Sequence, residues 1–506
     1  MDVQQAYTRL LEHLGEIDDL QRAAAVLSWD RQTNMPPRGS ATRSRQAATL
    51  GRIAHERFTS EETGRLLAAV EEWAAGLPYD SDEASLVRVT KRRYALQSSL
   101  SPKLVETLSI AGAQGFDAWL EARATRSFRP FRDAFARLVE LRKEEADALA
   151  EACGAACRYD ALLQRHEPGM TVAQLDRLFG RLKEVLVPLV RRIAERQELV
   201  SDAILHQRYD ESRQWELTLE ALRLIGFDFT SGRQDRSVHP FTTGFGPGDT
   251  RLTTRIFADH LGGGLFASLH EGGHGLYDQG VPARFARTPL YGGTSGGVHE
   301  SQSRLWENVV GRSREFWSFF LPKARALFPE QLRGVTVEVM YRAVNRSTPS
   351  LIRVDADEVT YNLHIMVRYE LERDLLDGDL PVDDLPEAWN RKMEAYLGVT
   401  PPDDLHGLLQ DIHWSRGGFA GFPGYTLGNV ISLQLYERAC QDRPDIPESI
   451  RRGDTSPLLE WMRTHVHAHG AKFTPEELLQ RATGRGLDPE PYLNYITRKF
   501  SELYEL

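Results

Sequence analysis

Cysteine is scarce: three in 506 residues, at Cys153, Cys157 and Cys440. The count is odd, and two of the three sit four apart in the Ala-rich stretch AEACGAAC. That excludes a disulfide scaffold and reads as small buried packers in a reducing compartment. Long apolar runs are missing too. The longest, such as Val185 to Val190, fall far short of the roughly 20 residues a spanning helix needs, so no membrane protein is expected. The first thirty residues are charged throughout, and no signal-peptide core is expected there. A basic excess is also absent. Lys plus Arg total 62 against 72 Asp plus Glu, a formal net charge of −10 with the signs well mixed, which excludes a global electrostatic footprint for nucleic acid. These absences together point to a cytoplasmic protein. What is present is an ordinary globular balance, 41% hydrophobic and 26% charged. That excludes a disordered or low-complexity chain and allows a sizeable core.

Helical periodicity dominates. Tyr7, Leu10, Leu11, Leu14, Ile17 and Leu20 recur at three and four and predict an amphipathic helix over 1–30. Met-Pro-Pro-Arg-Gly at 35–39 breaks it, and helix resumes to about 74. Further helices are expected over 81–99, 102–122, 130–152, 171–201 and 209–226, punctuated by Gly and Pro. Between 227 and 255 the pattern changes to Gly-rich breaks with alternating Phe and Thr, which predicts short strands and loops. A helix over 256–279 follows, then a Gly-rich loop at 292–297, then helices to the end. No repeat, long linker or composition shift marks a boundary. The expected fold class is mainly α with a small β insert, a single domain over 1–506. Its parts are helical 1–226, strands and loops 227–255, and helical 256–506.

The helix at 256–279 carries His270-Glu271-Gly272-Gly273-His274, an HExxH pattern. Residues four apart share one helix face about 5–6 Å apart, so two imidazoles can converge on one metal ion. The glutamate beside the first histidine can deprotonate a water on that ion. Phe257, Leu261, Leu265 and Leu269 supply a buried face, and Gly280 with Pro282 ends the helix. Its two internal glycines each cost about 1 kcal/mol against Ala. They fit a site that another backbone or a peptide must approach closely, or simply tight helix packing.

A mononuclear zinc hydrolase needs a third protein ligand and one open position. In the segment His299-Glu300-Ser301-Gln302, Glu300 stands 26 residues after His274, opening the helical stretch SRLWENVVG. A glutamate there would also suit a helix N-terminus for its dipole alone; the upstream HExxH favours a ligand.

Six short motifs stand in order: HPF at 239–241, DxRxT at Asp249, Arg251 and Thr253, HExxH at 270–274, and HES-Gln at 299–302. IRxxAD follows at Ile352, Arg353, Ala356 and Asp357, and GxxQDxHW at Gly407, Gln410, Asp411, His413 and Trp414. With Trp29-Asp30 through Pro37, they make the chain resemble the carboxypeptidase Taq family of zinc-dependent metallocarboxypeptidases over nearly its whole length. The resemblance implies a saddle-like helical metallopeptidase fold, similar to neurolysin, with a deep groove, and a homodimer. It also implies stepwise release of C-terminal residues with broad specificity. His270, His274 and Glu300 would be the metal ligands and Glu271 the general base. The stretch SRGGFAGFPGYTLGN departs from the family at Gly421 and Gly424, where an aromatic and a larger residue are usual. Those glycines bear on side-chain preference, not on the metal set.

A carboxypeptidase must read a free carboxylate, and the planar fork of arginine matches one. Arg353 is the candidate, its alternative being an internal pair with Asp355 or Asp357; Arg251 reads as a structural partner of Asp249. Oxyanion stabilisation needs a donor, for which Tyr425 and His239 are candidates. Gln410 and His413 either touch substrate or anchor their loop. His465 and His469 share helical spacing but have no acid in a ligand-like position. Gly244-Phe245-Gly246-Pro247-Gly248 lacks the lysine of a phosphate loop.

The expected function is a metallocarboxypeptidase of peptides with a free C-terminus. The metal is zinc, with Co2+ or Mn2+ also accepted by such ligands. An endopeptidase would cut amidated peptides as well as free ones. A structural metal scaffold would need four protein ligands.

Overall fold

Apolar residues recurring every three or four positions build twenty α-helices among the described residues, and one sheet of three short strands. The computed structural model describes residues 2–506. It groups into two compact units, each assembled from three separate stretches of chain. The first takes the chain as far as Tyr94, Asp202–Val344 and Ile431–Leu487. The second takes Ala95–Ser201, Asn345–Val430 and Asp488–Leu506. No described helix is long and apolar enough to cross a membrane.

In the first unit the sheet has the order β1-β3-β2, with β1 at Gly232–Arg236, β2 at Thr242–Gly244 and β3 at Thr250–Thr254. β1 runs parallel to β3, pairing Gly232 with Thr250, and β2 runs antiparallel, pairing Thr242 with Leu252. The DxRxT residues fix this corner. Asp249 accepts both arms of Arg251 at 2.8 and 2.9 Å, the structural pair the sequence suggests. The same guanidinium lies 4.3 Å over the ring of Trp29 and 4.9 Å over that of Phe245, tying the helix Val3–Thr33 to β3. Thr253 holds HPF in place, its hydroxyl accepting from the Phe241 amide at 2.9 Å.

The HExxH helix spans Leu261–Gly280 rather than starting at 256. His260 sits at its N-cap and accepts the Gly263 amide through Nδ1 at 2.9 Å. Phe257 forms a one-rung bridge with His260 and belongs to the entry turn. Leu265, Leu269, Leu276 and Tyr277 are buried, packed toward β3 and the helix Glu211–Leu224. The glycines serve helix packing. A Cβ on Gly272 would come within 2.6 Å of Leu222 and 2.8 Å of Ile225, and one on Gly273 within 2.6 Å of the Ser303 Cα. Gly273 thus lets the backbone of the helix Gly296–Arg304 touch the HExxH helix.

The second unit is held by helices whose caps follow the usual chemistry. Ser101 caps Pro102–Thr125, and Thr171 with Gln174 forms a capping box on Val172–Ala194. The helix Tyr361–Leu376 is buried on nearly every side, with Leu363, Ile365, Met366, Val367, Leu371 and Leu375 all enclosed. Such a helix is a core element. It also carries buried Arg368 and Glu372.

Gly273→Ala separates two opposed effects. Alanine favours an isolated helix by about 1 kcal/mol, whereas overpacking a contact costs about 1–3 kcal/mol. A net loss of stability in denaturant or thermal unfolding is expected; a gain would contradict the backbone contact.

Candidate metal centre

Helical spacing sets the rings of His270 and His274 5.0 Å apart and nearly perpendicular. Their Nε2 atoms converge on one oxygen of Glu300, at 3.6 and 3.4 Å from Oε2. Ligand atoms of the three residues all lie within 4.8 Å of one another, the one such group among the described residues. Glu300 arrives on the helix Gly296–Arg304, which Ser295 caps by accepting the Val298 amide at 3.1 Å.

Both imidazoles are fixed from behind. His270 Nδ1 donates to Glu307 Oε2 at 2.9 Å. His274 Nδ1 lies 2.6 Å from His299 Nδ1, and His299 Nε2 lies 3.3 Å from Asp278 Oδ1. One proton order satisfies that chain: His274 donates to His299, and His299 donates to the Asp278 carboxylate. Each metal-side Nε2 is then left with a lone pair, the arrangement in which outer hydrogen bonds fix the tautomer of a ligand. The donor set therefore fits a divalent cation, whose binding would take the place of any proton on Nε2: two imidazole nitrogens and one carboxylate oxygen.

Glu307 lies on a π-helical turn, Leu305–Val310, that continues the Glu300 helix. Such turns are rare and frequently mark functional sites. Arg304 spans both acids, donating to Glu300 Oε1 at 2.7 Å and to Glu307 Oε2 at 3.3 Å. Arg312 donates to Glu307 Oε1 at 3.4 Å. Burial pushes against ionisation of Glu300, but Arg304 and then the two imidazoles outweigh it and hold the carboxyl well below its usual range. Glu307, half-buried, is drawn down to about 2 by Arg304 and His270 against the cost of desolvation. Burial disfavours charge on His270, yet Glu300 and Glu307 prevail and raise it to about 9. On His274 burial prevails, lowering its pKa.

Glu271 is buried beside this group. The Thr242 hydroxyl donates to its Oε2 at 2.6 Å and also meets its backbone carbonyl at 3.0 Å. Thr242 follows HPF directly, so Thr253, Phe241 and Thr242 form a line from β3 to the Glu271 carboxylate. His239 is exposed, and its side chain makes one hydrogen bond among the described residues, between Nδ1 and the Pro240 carbonyl at 2.9 Å.

Arg353, Gln410, His413 and Tyr425 belong to the second unit. Arg353 pairs with neither Asp355 nor Asp357. Its Nε and Nη2 meet Asp411 Oδ1 at 3.0 and 2.6 Å, and Nη1 donates to the Tyr361 hydroxyl at 3.0 Å. Asp411 also accepts from Arg368 Nε at 2.6 Å. Asp357 instead accepts from Ser347, Thr348 and Thr360. Gln410 anchors its loop, accepting the Arg353 amide at 2.7 Å and donating to the Leu351 carbonyl at 3.0 Å. Tyr425 faces His413 Nε2 at 3.3 Å, with its ring 5.2 Å from the Arg353 guanidinium carbon. His465 stacks on Trp461 at 4.4 Å, and His467 is buried against Gln302.

Thr242, His299 and Glu307 escape a reading of the chain alone. Glu307 leaves the clearest trace, since Glu300, Arg304 and Glu307 follow at four and three along one helical face. Asp278 stands one turn beyond His274 on the same helix, whereas Thr242 reaches the site through tertiary packing and leaves no trace.

A helix presenting two histidines and a glutamate in HExxH, completed by a glutamate from a second helix, defines a metallopeptidase centre. Comparison with known proteins narrows the class. The family model of the carboxypeptidase Taq (M32) metallopeptidases matches residues 9–500. Thermostable carboxypeptidase 1 of Thermus thermophilus is 42% identical over 512 residues, covering 100% of both chains. Carboxypeptidase 1 of Bacillus subtilis is 34% identical over 509 residues, also covering 100% of both. The solved M32 carboxypeptidase of Deinococcus radiodurans matches with a TM-score of 0.94 at 40% identity, over 99% of this chain and 100% of that one. The chain belongs to the carboxypeptidase Taq family, and it is a metallocarboxypeptidase whose substrates are peptides.

If His299 fixes His274 through its tautomer, His299→Phe keeps the ring stacked near Tyr277 but removes both nitrogens. Chelator competition should then show metal affinity about 10–100-fold weaker. Unchanged affinity would reduce His299 to packing.

Proposed function

We propose that the enzyme releases amino acids one at a time from peptide C-termini, with broad specificity, using zinc held by His270, His274 and Glu300. The observation that carries this is the convergence of both Nε2 atoms on Glu300 Oε2 while both Nδ1 atoms are engaged behind them. Three protein donors is the count of a catalytic zinc site; a structural one normally has four. Cobalt and manganese suit the same ligands. What the ion supplies when bound is Lewis acidity, which polarises a carbonyl and makes water more acidic.

The remaining work falls to the chain. Glu271, held through Oε2 by Thr242, takes the proton from the attacking water and returns it to the leaving amine. Arg353 reads the terminal carboxylate. Supporting this, Arg353 and Arg368 share the single carboxylate of Asp411, so the buried cluster carries an excess positive charge that suits an anion. Tyr425 and His239 are the proposed donors to the carbonyl oxygen as it gains charge. Three free cysteines suit a reducing compartment and support a cytoplasmic location. The homodimer rests on the family resemblance.

Glu271→Gln should keep its metal by elemental analysis and lose about 10²–10⁴-fold in kcat, the usual contribution of a general base; wild-type turnover would remove Glu271 from that role. Mass spectrometry of one mixed-sequence peptide, as free acid and as C-terminal amide, tests the rest. A ladder of single-residue losses from the free acid, abolished by amidation or chelator, is expected. Internal cuts in both peptides would indicate an endopeptidase.

A further inference from the structure

Glu372 is buried in the second unit and has no cation within ion-pair distance among the described residues. Its carboxylate nevertheless accepts three hydrogen bonds. Oε1 takes the Trp414 indole N–H at 2.8 Å. Oε2 takes the Ala420 amide and the Tyr159 hydroxyl, both at 3.0 Å. Two of these donors bracket one loop, from Trp414 of GxxQDxHW to Ala420, and that loop leads into the helix Pro423–Asp442, whose first turn carries Tyr425. Ala420 holds a φ of 61°, a left-handed conformation uncommon outside glycine. Its neighbours turn tightly too, with the Gly418 amide bonded to the His413 carbonyl at 2.8 Å. One helical turn before Glu372, Arg368 grips Asp411, so the helix Tyr361–Leu376 holds this segment at Asp411, Trp414 and Ala420.

We propose that Glu372 is a positioning residue for catalysis, fixing the segment 413–425, a loop and the first turn of the helix after it, so that His413 and Tyr425 present a preset surface to the substrate. A carboxylate buried without an ion-paired cation is costly, and burial raises this one to about 7 against the pull of Trp414, Ala420, Tyr159 and, last, the more distant charge of Arg368. Simple core packing does not call for such a group. Accepting from both ends of a loop at once does, because only a carboxylate offers two oxygens and no donor. Glutamine cannot replace it: whichever way the amide turns, its NH2 faces either the Trp414 N–H or the Ala420 N–H. The inference rests on the proposed substrate role of Tyr425.

The test compares Glu372→Gln with Tyr159→Phe in the metal-loaded enzyme, by hydrogen exchange over 413–425 and by steady-state kinetics on a free-acid peptide. Glu372→Gln should speed exchange in that segment about 10–100-fold, the scale of one hydrogen bond to a charged group. It should also raise KM more than it lowers kcat, with metal content unchanged. Tyr159→Phe, which spares both loop bonds, should leave exchange and kinetics near wild type. If Glu372→Gln does not fold, Trp414→Phe deletes one loop bond while keeping a ring and should give the same pattern at smaller size. Unchanged exchange in Glu372→Gln would overturn the anchor itself. Faster exchange with unchanged kinetics would instead remove the loop from substrate contact and with it the catalytic role. Equal effects from Tyr159→Phe would mark the trio as packing only.

Discussion

The metal centre depends on how closely two helix backbones can approach. Glu300 reaches the imidazoles because the helix Gly296–Arg304 lies against the HExxH helix at Gly273, where a Cβ would strike Gln302 and Ser303. Any side chain at Gly273 would push the second helix outward and carry the carboxylate with it. The helix accepts the propensity penalty of an internal glycine to allow a contact that its own hydrogen bonds could never provide. The buried faces of Leu265, Leu269 and Leu276 then hold the pair in that position.

Charge balance is the second constraint. Glu300 and Glu307 meet at this site, and desolvation alone would favour their protonated forms. A protonated Glu300 would offer a cation far less, and a protonated Glu307 would lose much of its hold on the His270 N–H. Arg304 prevents both by bonding each acid, with Arg312 reinforcing Glu307. The π-helical turn places Glu307 where a single guanidinium can reach both carboxylates. Outer residues thereby decide the ionisation of inner ones, and the geometry of His270 inherits that decision through its Nδ1 bond to Glu307.

Much of this is visible along the chain, for a definite reason. His270 and His274 share a face because helical periodicity is local, and the downstream glutamate in a helical stretch is a local signal too. The mainly helical fold with a small strand segment follows from the same periodicity, and the family resemblance from six motifs in order. What sequence reasoning loses depends on which chains meet in space. The glycines of HExxH fit either a peptide or a second helix, and only packing decides for the helix. Arg353 looks to nearby Asp355 or Asp357 for a partner, yet finds Asp411, which is 58 residues away. Each unit gathers three separated stretches, a pairing that composition and linkers do not announce. The start of the HExxH helix shifts to Leu261 because the His260 side chain caps it, a choice that apolar spacing from Phe257 obscures.

The two clusters share one construction. In the first unit, His270 and His274 stand four apart on a helix and receive Glu300 from a neighbouring helix. In the second, Arg368 and Glu372 stand four apart on the helix Tyr361–Leu376 and receive Asp411, Trp414 and Ala420. In both, a helix sets the spacing of a pair of side chains, because its backbone bonds are satisfied internally and hold that spacing without help. Loops and neighbouring helices then supply partners whose positions the pair dictates. That order of dependence explains why Asp411, Trp414 and Ala420 are each bonded to a polar group on one buried helix. A loop cannot hold a functional side chain to hydrogen-bond tolerance by its own contacts, but it can be held so by two groups on a rigid helix. The chemistry of such a site is carried by the loops and its precision by the helices beneath them.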